Sequence, residues 1–326
     1  MSGLNIRNLG EQWSWGSRVD GVTWDNLYDE DTRTELKALF EDRGYIIFEN
    51  TDPSPKFQME LSKVFAPLKD HPTKSTARAD KDADELLGMI DMHYKPAERS
   101  DDAGQVEVNG KKLVSYLPWH FDHSYNDELN YAGMLRAVVA APEMGRTGFT
   151  CGIELYKAMD PTILAKIDGL NAIYTLDVRL TQMRFGKNFK TFNDAPFMIG
   201  NITEAAIFPR AMHPMVWTRP TGEKVVHFCG FSAVGIEHHE DPEGDALFEA
   251  AIQELYSKVN PYWHEWSPTD LVIWDNARIL HAVEGCDPKY ERRMQRTTLK
   301  GDYGLGYFED GKKIGEVKRE IPPLVV

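Results

Sequence analysis

The sequence predicts a mainly β protein with α additions, a β-sandwich or jelly roll carrying helical insertions. Two features of the pattern predict it. Helix-like periodicity is confined to an early cluster and a few insertions, whereas strand-like runs are short and spread over the remainder. Strands and helices do not alternate as a βαβ series would require. No internal repeat, low-complexity tract or interdomain linker interrupts the chain, so residues 1–326 read as a single domain. With 42% hydrophobic and 11% aromatic residues, that length can bury a sizeable core.

In chain order, residues 1–27 form an irregular or short-strand lead-in rich in Gly and Trp. A helix is expected from Tyr28 to Asp42. Leu36, Leu39 and Phe40 share one face, Asp29 or Asp31 can cap, and Gly44 ends it. Tyr45–Phe48 reads as a buried strand, Pro55–Phe65 as a second helix and Leu86–Met92 as a strand. Residues 94–112 are polar and read as a mobile loop, a lid candidate, with an Asn109-Gly110 hairpin signal near its end. Met134–Ala141 is a central strand and Phe149–Ile153 a short one. Helical signals follow at Leu155–Ala158 and Pro161–Ile167, the latter capped by Asp160 with Pro161 in the first turn. Residues 185–212 are loop-like. His213–Thr218 and Lys224–Cys229 read as strands, Pro242–Val259 as an amphipathic helix, and Asp270–Asp275, Ile279–Val283 and Arg292–Leu299 as strands.

A formal net charge of -14 argues against nucleic acid or an anionic membrane as the main partner, while a local Arg cluster could still receive a small anion. Cys151, Cys229 and Cys286 are isolated and suggest neither a disulfide framework nor a Cys-based zinc site, which fits a reducing compartment. No apolar run approaches a membrane span and no signal-like h-region stands at the N-terminus. A soluble, cytoplasmic protein is expected; a homo-oligomer is compatible with the sequence.

The chemistry concentrates in Trp119-His120-Phe121-Asp122-His123. If this stretch is extended, His120 and Asp122 point to one side and can take adjacent positions on a metal. A third ligand is needed. His281 follows a strand and a tight turn at Asp275-Asn276, where it would face the interior of a β-barrel. Two imidazoles and one carboxylate leave three positions open on octahedral Fe(II), enough for a bidentate ligand and O2. A 2-oxo acid bound there needs a cation for its far carboxylate. Arg292, in Arg292-Arg293-Met294-Gln295-Arg296, can supply it, and in a strand Arg296 shares its face. His213 reads as a strand opener. The His238-His239 pair sits in an acidic loop without a strand frame.

These motifs, in this order, resemble the taurine dioxygenase / 2,4-dichlorophenoxyacetate dioxygenase (TauD/TfdA) family of Fe(II)/2-oxoglutarate-dependent oxygenases. The matching residues are Trp119-His120 with Asp122, Thr147 of the Gly-x-Thr turn at 145–147, His213-Pro214, Trp274-Asp275-Asn276, His281, and Arg292, Met294 and Arg296. The resemblance spans roughly residues 45–300. It implies a double-stranded β-helix, cupin-like, with Fe(II) on His120, Asp122 and His281. Arg292 and Thr147 would hold the 2-oxoglutarate carboxylate. Arg296 would face the substrate's anionic group or support the co-substrate, and His71 matches a substrate-contacting position. The implied reaction consumes O2, decarboxylates 2-oxoglutarate to succinate and hydroxylates a C–H bond. The bond to a neighbouring O, S or N breaks where the hydroxylated carbon bears one.

The sequence departs from the sulfonate-oxidising members at the pocket. Phe149 stands at a Trp position, Tyr116 at an Asn position and His123 at a small apolar one. These changes point away from taurine. Tyr116, Tyr125, Phe149 and Phe231 suit an aromatic or bulky apolar substrate portion, and the inward Arg residues suit a small carboxylate, sulfonate or aryloxy acid. Asp122 keeps the carboxylate that a halide would have to replace, which disfavours halogenation. Two other readings use the same triad: a zinc-dependent hydrolase, which leaves Arg292 and Thr147 without a role, and a non-enzymatic cupin-like binding protein.

Overall fold

The computed structural model describes residues 3–70, 88–98, 102–195, 208–301, 303–309 and 311. Its frame is a pair of facing β-sheets. The larger has seven strands in the order Asn5–Asn8, Ser17–Asp20, Tyr45–Glu49, Leu271–Asp275, Ala132–Val139, Arg292–Leu299 and Met89–Tyr94. The smaller has four, in the order Tyr262–His264, Thr147–Cys151, Ile279–Val283 and Leu117–His120. Within these two sheets the Ser17–Asp20 and Tyr45–Glu49 pair is parallel, and the other pairs are antiparallel. This is the jelly-roll, double-stranded β-helix architecture that the motif order implies.

Strand alternation assigns each residue to a layer. Tyr45, Ile47, Val272 and Trp274 point inward and pack with Phe149, Cys151, Tyr262 and Ile279 of the smaller sheet. Ile46, Phe48, Leu271 and Ile273 point outward. They are covered by Leu36 and Phe40 of helix α1 (Glu30–Arg43) and by Phe57, Leu61 and Val64 of helix α2 (Pro55–Phe65). The central strands are therefore apolar on both faces, which is why Tyr45–Phe48 reads as a continuous buried run. Helix α2 starts on Ser54, whose hydroxyl accepts from the Phe57 amide at 3.2 Å. Asp29 occupies the equivalent position of α1 without a side-chain capping bond.

A third sheet, ordered Ala233–Ile236, Asn171–Tyr174, Ala211–Pro214 and Tyr307–Phe308, closes one end. Helices α3 (Gly152–Ala158), α4 (Pro161–Ile167) and α5 (Pro242–Lys258) join its core. Asp160 and Asp241 cap α4 and α5.

Several boundaries differ from the sequence pattern. His213–Thr218 is not one strand: Ala211–Pro214 and Val216–Thr218 belong to different sheets. The residues near Phe149 are in strand from Thr147 to Cys151, and Gly152 already opens α3. Residues 94–112 are not a loop throughout. Val106–Val108 and Lys111–Leu113 form a hairpin across Asn109 (φ 50°) and Gly110 (φ 78°), and Lys190–Thr191 pairs with it. Val106 and Leu113 are buried in the core below.

The turn that carries the chain from Leu271–Asp275 to Ile279–Val283 is pinned to α1. The Arg278 guanidinium is buried and donates to the carbonyls of Phe40, Asp42 and Glu41 at 3.1, 3.1 and 3.2 Å. A cation is favoured at this end of a helix. Gly44 ends α1 in the left-handed region (φ 70°), and a Cβ there would stand 2.2 Å from Arg278 Nη2. Among the described residues, no helix is long and apolar enough to cross a membrane.

Candidate active site

His120 ends its strand directly opposite His281 in the antiparallel register, and their ring centroids are 4.1 Å apart. Asp122 is not on that strand. The chain turns after His120, and His123 adopts a left-handed conformation (φ 60°). Asp122 is held by the Asn276 side chain instead. Asn276 Oδ1 accepts from the Asp122 amide at 2.8 Å, and Asn276 Nδ2 donates to the Asp122 carbonyl at 3.0 Å and to Asn130 Oδ1 at 3.1 Å. Buried His227 donates from Nε2 to the Asn276 carbonyl at 2.8 Å. The turn before His281 and the turn after His120 are thus one bonded unit.

His120, Asp122 and His281 are all buried, and one ligand atom from each lies within 4.8 Å of the others. The His120 Nδ1–H points at the Pro118 carbonyl, 2.8 Å away, which leaves Nε2 as the free lone pair. Asp122 Oδ2 and His281 Nδ1 are buried without a hydrogen-bond partner among the described residues. Burial pulls both imidazoles below their ordinary range, most strongly His281, which also faces His120. Burial pushes the Asp122 carboxyl up, but Arg296, His281 and His120 together hold it well below the usual carboxylate range. Two neutral imidazoles and a carboxylate with an orphaned oxygen suit a divalent cation.

Arg296 donates from Nη1 to Asp122 Oδ1 at 2.6 Å, so its place here is on the triad carboxylate. Arg292 differs. It is buried and donates from Nε to the Gly145 carbonyl at 3.2 Å, and among the described residues no carboxylate pairs with it. Burial pulls this guanidinium down to about 10. Thr147 is buried at the start of its strand, and its Oγ1 accepts from the Trp266 indole N–H at 3.1 Å.

Around the triad, Phe231 meets the His120 ring edge-on at 5.5 Å, and Phe149 lies parallel to His281 at 6.2 Å. His123 is buried, and its ring lies 5.9 Å from Tyr125. Tyr125 is also buried and meets Phe208 at 6.0 Å. Tyr116 packs on Phe189 at 5.0 Å, and burial raises its phenol to about 12. His71 lies outside the described residues. His213 is a strand residue whose Nε2 donates to the Asn126 carbonyl at 2.7 Å. His238 is exposed in a turn.

The fold is a jelly roll, and its site is a buried His/Asp/His cluster whose ligand atoms could hold a metal ion. The chain belongs to the taurine catabolism dioxygenase TauD, TfdA family, whose model matches residues 5–298. It is a 2-oxoglutarate-dependent dioxygenase, a class that uses Fe(II), 2-oxoglutarate and O2. It is 25% identical over 276 residues to the alpha-ketoglutarate-dependent 2,4-dichlorophenoxyacetate dioxygenase of Cupriavidus pinatubonensis, covering 82% of this chain and 88% of that one. It is 24% identical over 294 residues to the (S)-phenoxypropionate/alpha-ketoglutarate-dioxygenase of Sphingobium herbicidovorans, covering 89% and 93%. Pentalenolactone F synthase of Streptomyces avermitilis is 22% identical over 300 residues, covering 87% and 90%. Among solved structures, AAD-2 in complex with Mn(II) and N-oxalylglycine has the same fold, with a TM-score of 0.66 at 21% identity over 93% of this chain and 99% of that one. A taurine dioxygenase from Burkholderia xenovorans gives 0.62 at 18%, over 95% and 94%.

Proposed function

We propose that His120, Asp122 and His281 hold Fe(II), that Arg292 and Thr147 receive the distal carboxylate of 2-oxoglutarate, and that the enzyme hydroxylates a C–H bond of a small organic acid. When bound, iron and 2-oxoglutarate supply the oxidising power: R–H, O2 and 2-oxoglutarate become R–OH, succinate and CO2. The observation that carries the reading is Arg292, a buried cation with a carbonyl partner and, among the described residues, no carboxylate. Such a charge is costly until an anion joins it, so the site favours an acid-bearing ligand over water. Arg292 and Thr147 fix the distal end, and the triad fixes the reacting end. The buried shell of Phe149, Phe231 and Trp274 around the imidazoles keeps bulk water away. A zinc hydrolase would leave the Arg292 charge without a use.

The substrate we propose is an aryloxy acid or a related carboxylate. Aromatic rings at Phe231, Tyr125 and Tyr116 suit an arene, and two relatives carry phenoxy acids in their names. Hydroxylation next to an ether oxygen gives a hemiacetal, which collapses with C–O cleavage. His123, beside Asp122 and Tyr125, and His71 are the residues proposed to touch the substrate. Arg296, bound to Asp122, is proposed to steady the triad and the co-substrate end of the pocket. Succinate release with a panel of aryloxy acids, aliphatic carboxylates and sulfonates tests this. Aryloxy acids should stimulate turnover most; taurine-selective stimulation would reject the substrate class.

A further inference from the structure

The Thr147 hydroxyl makes one hydrogen bond among the described residues, to Trp266. An indole N–H can only donate, whereas a hydroxyl has one proton and two lone pairs. The threonine oxygen is therefore the acceptor, and its proton must point away from the indole toward another group. Trp266 is itself held in place. His264 pairs with Thr147 across the two strands, and its ring meets the Trp266 indole edge-on at 4.5 Å and 86°. His264 Nε2 in turn lies 3.4 Å from the Asp270 carboxylate. Two residues before Thr147, the Gly145 carbonyl receives Arg292. One three-residue stretch thus anchors both groups assigned to the distal carboxylate.

We infer that Trp266 is a positioning residue for the co-substrate. By donating to Thr147 Oγ1 it turns the threonine proton toward the distal carboxylate of 2-oxoglutarate, so that the carboxylate meets a pre-aimed donor beside Arg292. This rests on the role proposed above for Thr147. Trp266 itself touches no co-substrate atom; it acts through Thr147. A hydroxyl already aimed at its acceptor loses less freedom when the ligand arrives.

The test is calorimetric binding to the Mn(II)-loaded protein, with no turnover involved. Two ligands are compared: 2-oxoglutarate, and pyruvate measured by displacement. Pyruvate keeps the 2-oxo acid end and lacks the distal carboxylate. Trp266→Phe should weaken 2-oxoglutarate by about tenfold, the scale of one hydrogen bond to a charged group, and leave pyruvate unchanged. Trp266→Leu, which also lacks the donor, should repeat the result, and Thr147→Val combined with Trp266→Phe should lose no more than Thr147→Val alone. If Thr147→Val weakens 2-oxoglutarate and Trp266→Phe does not, the inference is overturned and the Thr147 reading stands. If both ligands weaken equally in Trp266→Phe, the residue is merely structural and the inference is overturned. If Thr147→Val changes nothing, the Thr147 reading fails and the inference with it.

Discussion

The Asn276 amide grips the Asp122 main chain from both sides, accepting from its N–H at 2.8 Å and donating to its carbonyl at 3.0 Å. The Asp122 carboxylate, the proposed ligand, is therefore placed by a residue five positions before His281, not by the strand that carries His120. A ligand on an irregular turn keeps its geometry only if its backbone bonds are satisfied locally.

Removing that grip should loosen the metal site. Asn276→Ala leaves a buried N–H and a buried carbonyl of Asp122 unpaired, and orphans an Asn130 contact. Mn(II) affinity, followed by calorimetry, should fall about 10- to 100-fold, as for other residues that orient a ligand. Thermal stability should fall as well. Unchanged Mn(II) affinity would show that Asp122 is placed by other contacts.

Arg292→Met should separate stability from binding. The substitution removes a buried guanidinium that has no carboxylate partner among the described residues. Urea unfolding of the ligand-free protein should show equal or greater stability, by up to about 2 kcal/mol. The dissociation constant of 2-oxoglutarate should rise about 100-fold, the scale expected when a buried charge pair loses one member. A large loss of stability with retained binding would place the co-substrate carboxylate elsewhere.

The buried histidines set a pH dependence. Burial pulls His213 down to about 4 and His227 to about 3. Their unfolded counterparts take up protons below about pH 6.5. Between those limits the unfolded chain binds more protons, so stability falls as pH falls, by roughly 1.4 kcal/mol per pH unit per histidine. His120 and His281 add to the same slope in the metal-free protein. Urea unfolding from about pH 7.5 down to 5 should show the decline, and His213→Gln should flatten it. A slope unchanged in His213→Gln would mean that His213 is protonated in the folded state.

Much of the frame was legible because it rests on local rules. Pro55–Phe65, Pro161–Ile167, Ile279–Val283 and Arg292–Leu299 match the observed elements residue for residue. Each carries its own periodicity or cap. The Asn109-Gly110 signal was equally local. Asn171–Tyr174 and Ala233–Ile236 were missed, since short strands closing the end of a barrel carry little pattern of their own. The split at Met215 depends on which sheets the two halves join, a tertiary property.

The triad residues could be picked out from His120-x-Asp122 and His281, but the reason they meet could not. The expected alternation along one strand does not operate, because the strand ends at His120 and His123 turns the chain. Asn276 stood in a recognisable Trp-Asp-Asn motif without a visible task. His227 and Trp266 carried no signal at all, because their roles come from neighbours far away in sequence. Arg296 has the inward direction expected of it and meets Asp122 there.

An anaerobic titration reads out the proposed iron site directly. Fe(II) is added to the protein with excess 2-oxoglutarate while visible absorbance is followed. A weak charge-transfer band should saturate at one Fe(II) per chain in the wild type and be absent in His281→Ala. Equal bands in the two proteins, or none in the wild type, would contradict the assignment of His120, Asp122 and His281 as the iron site.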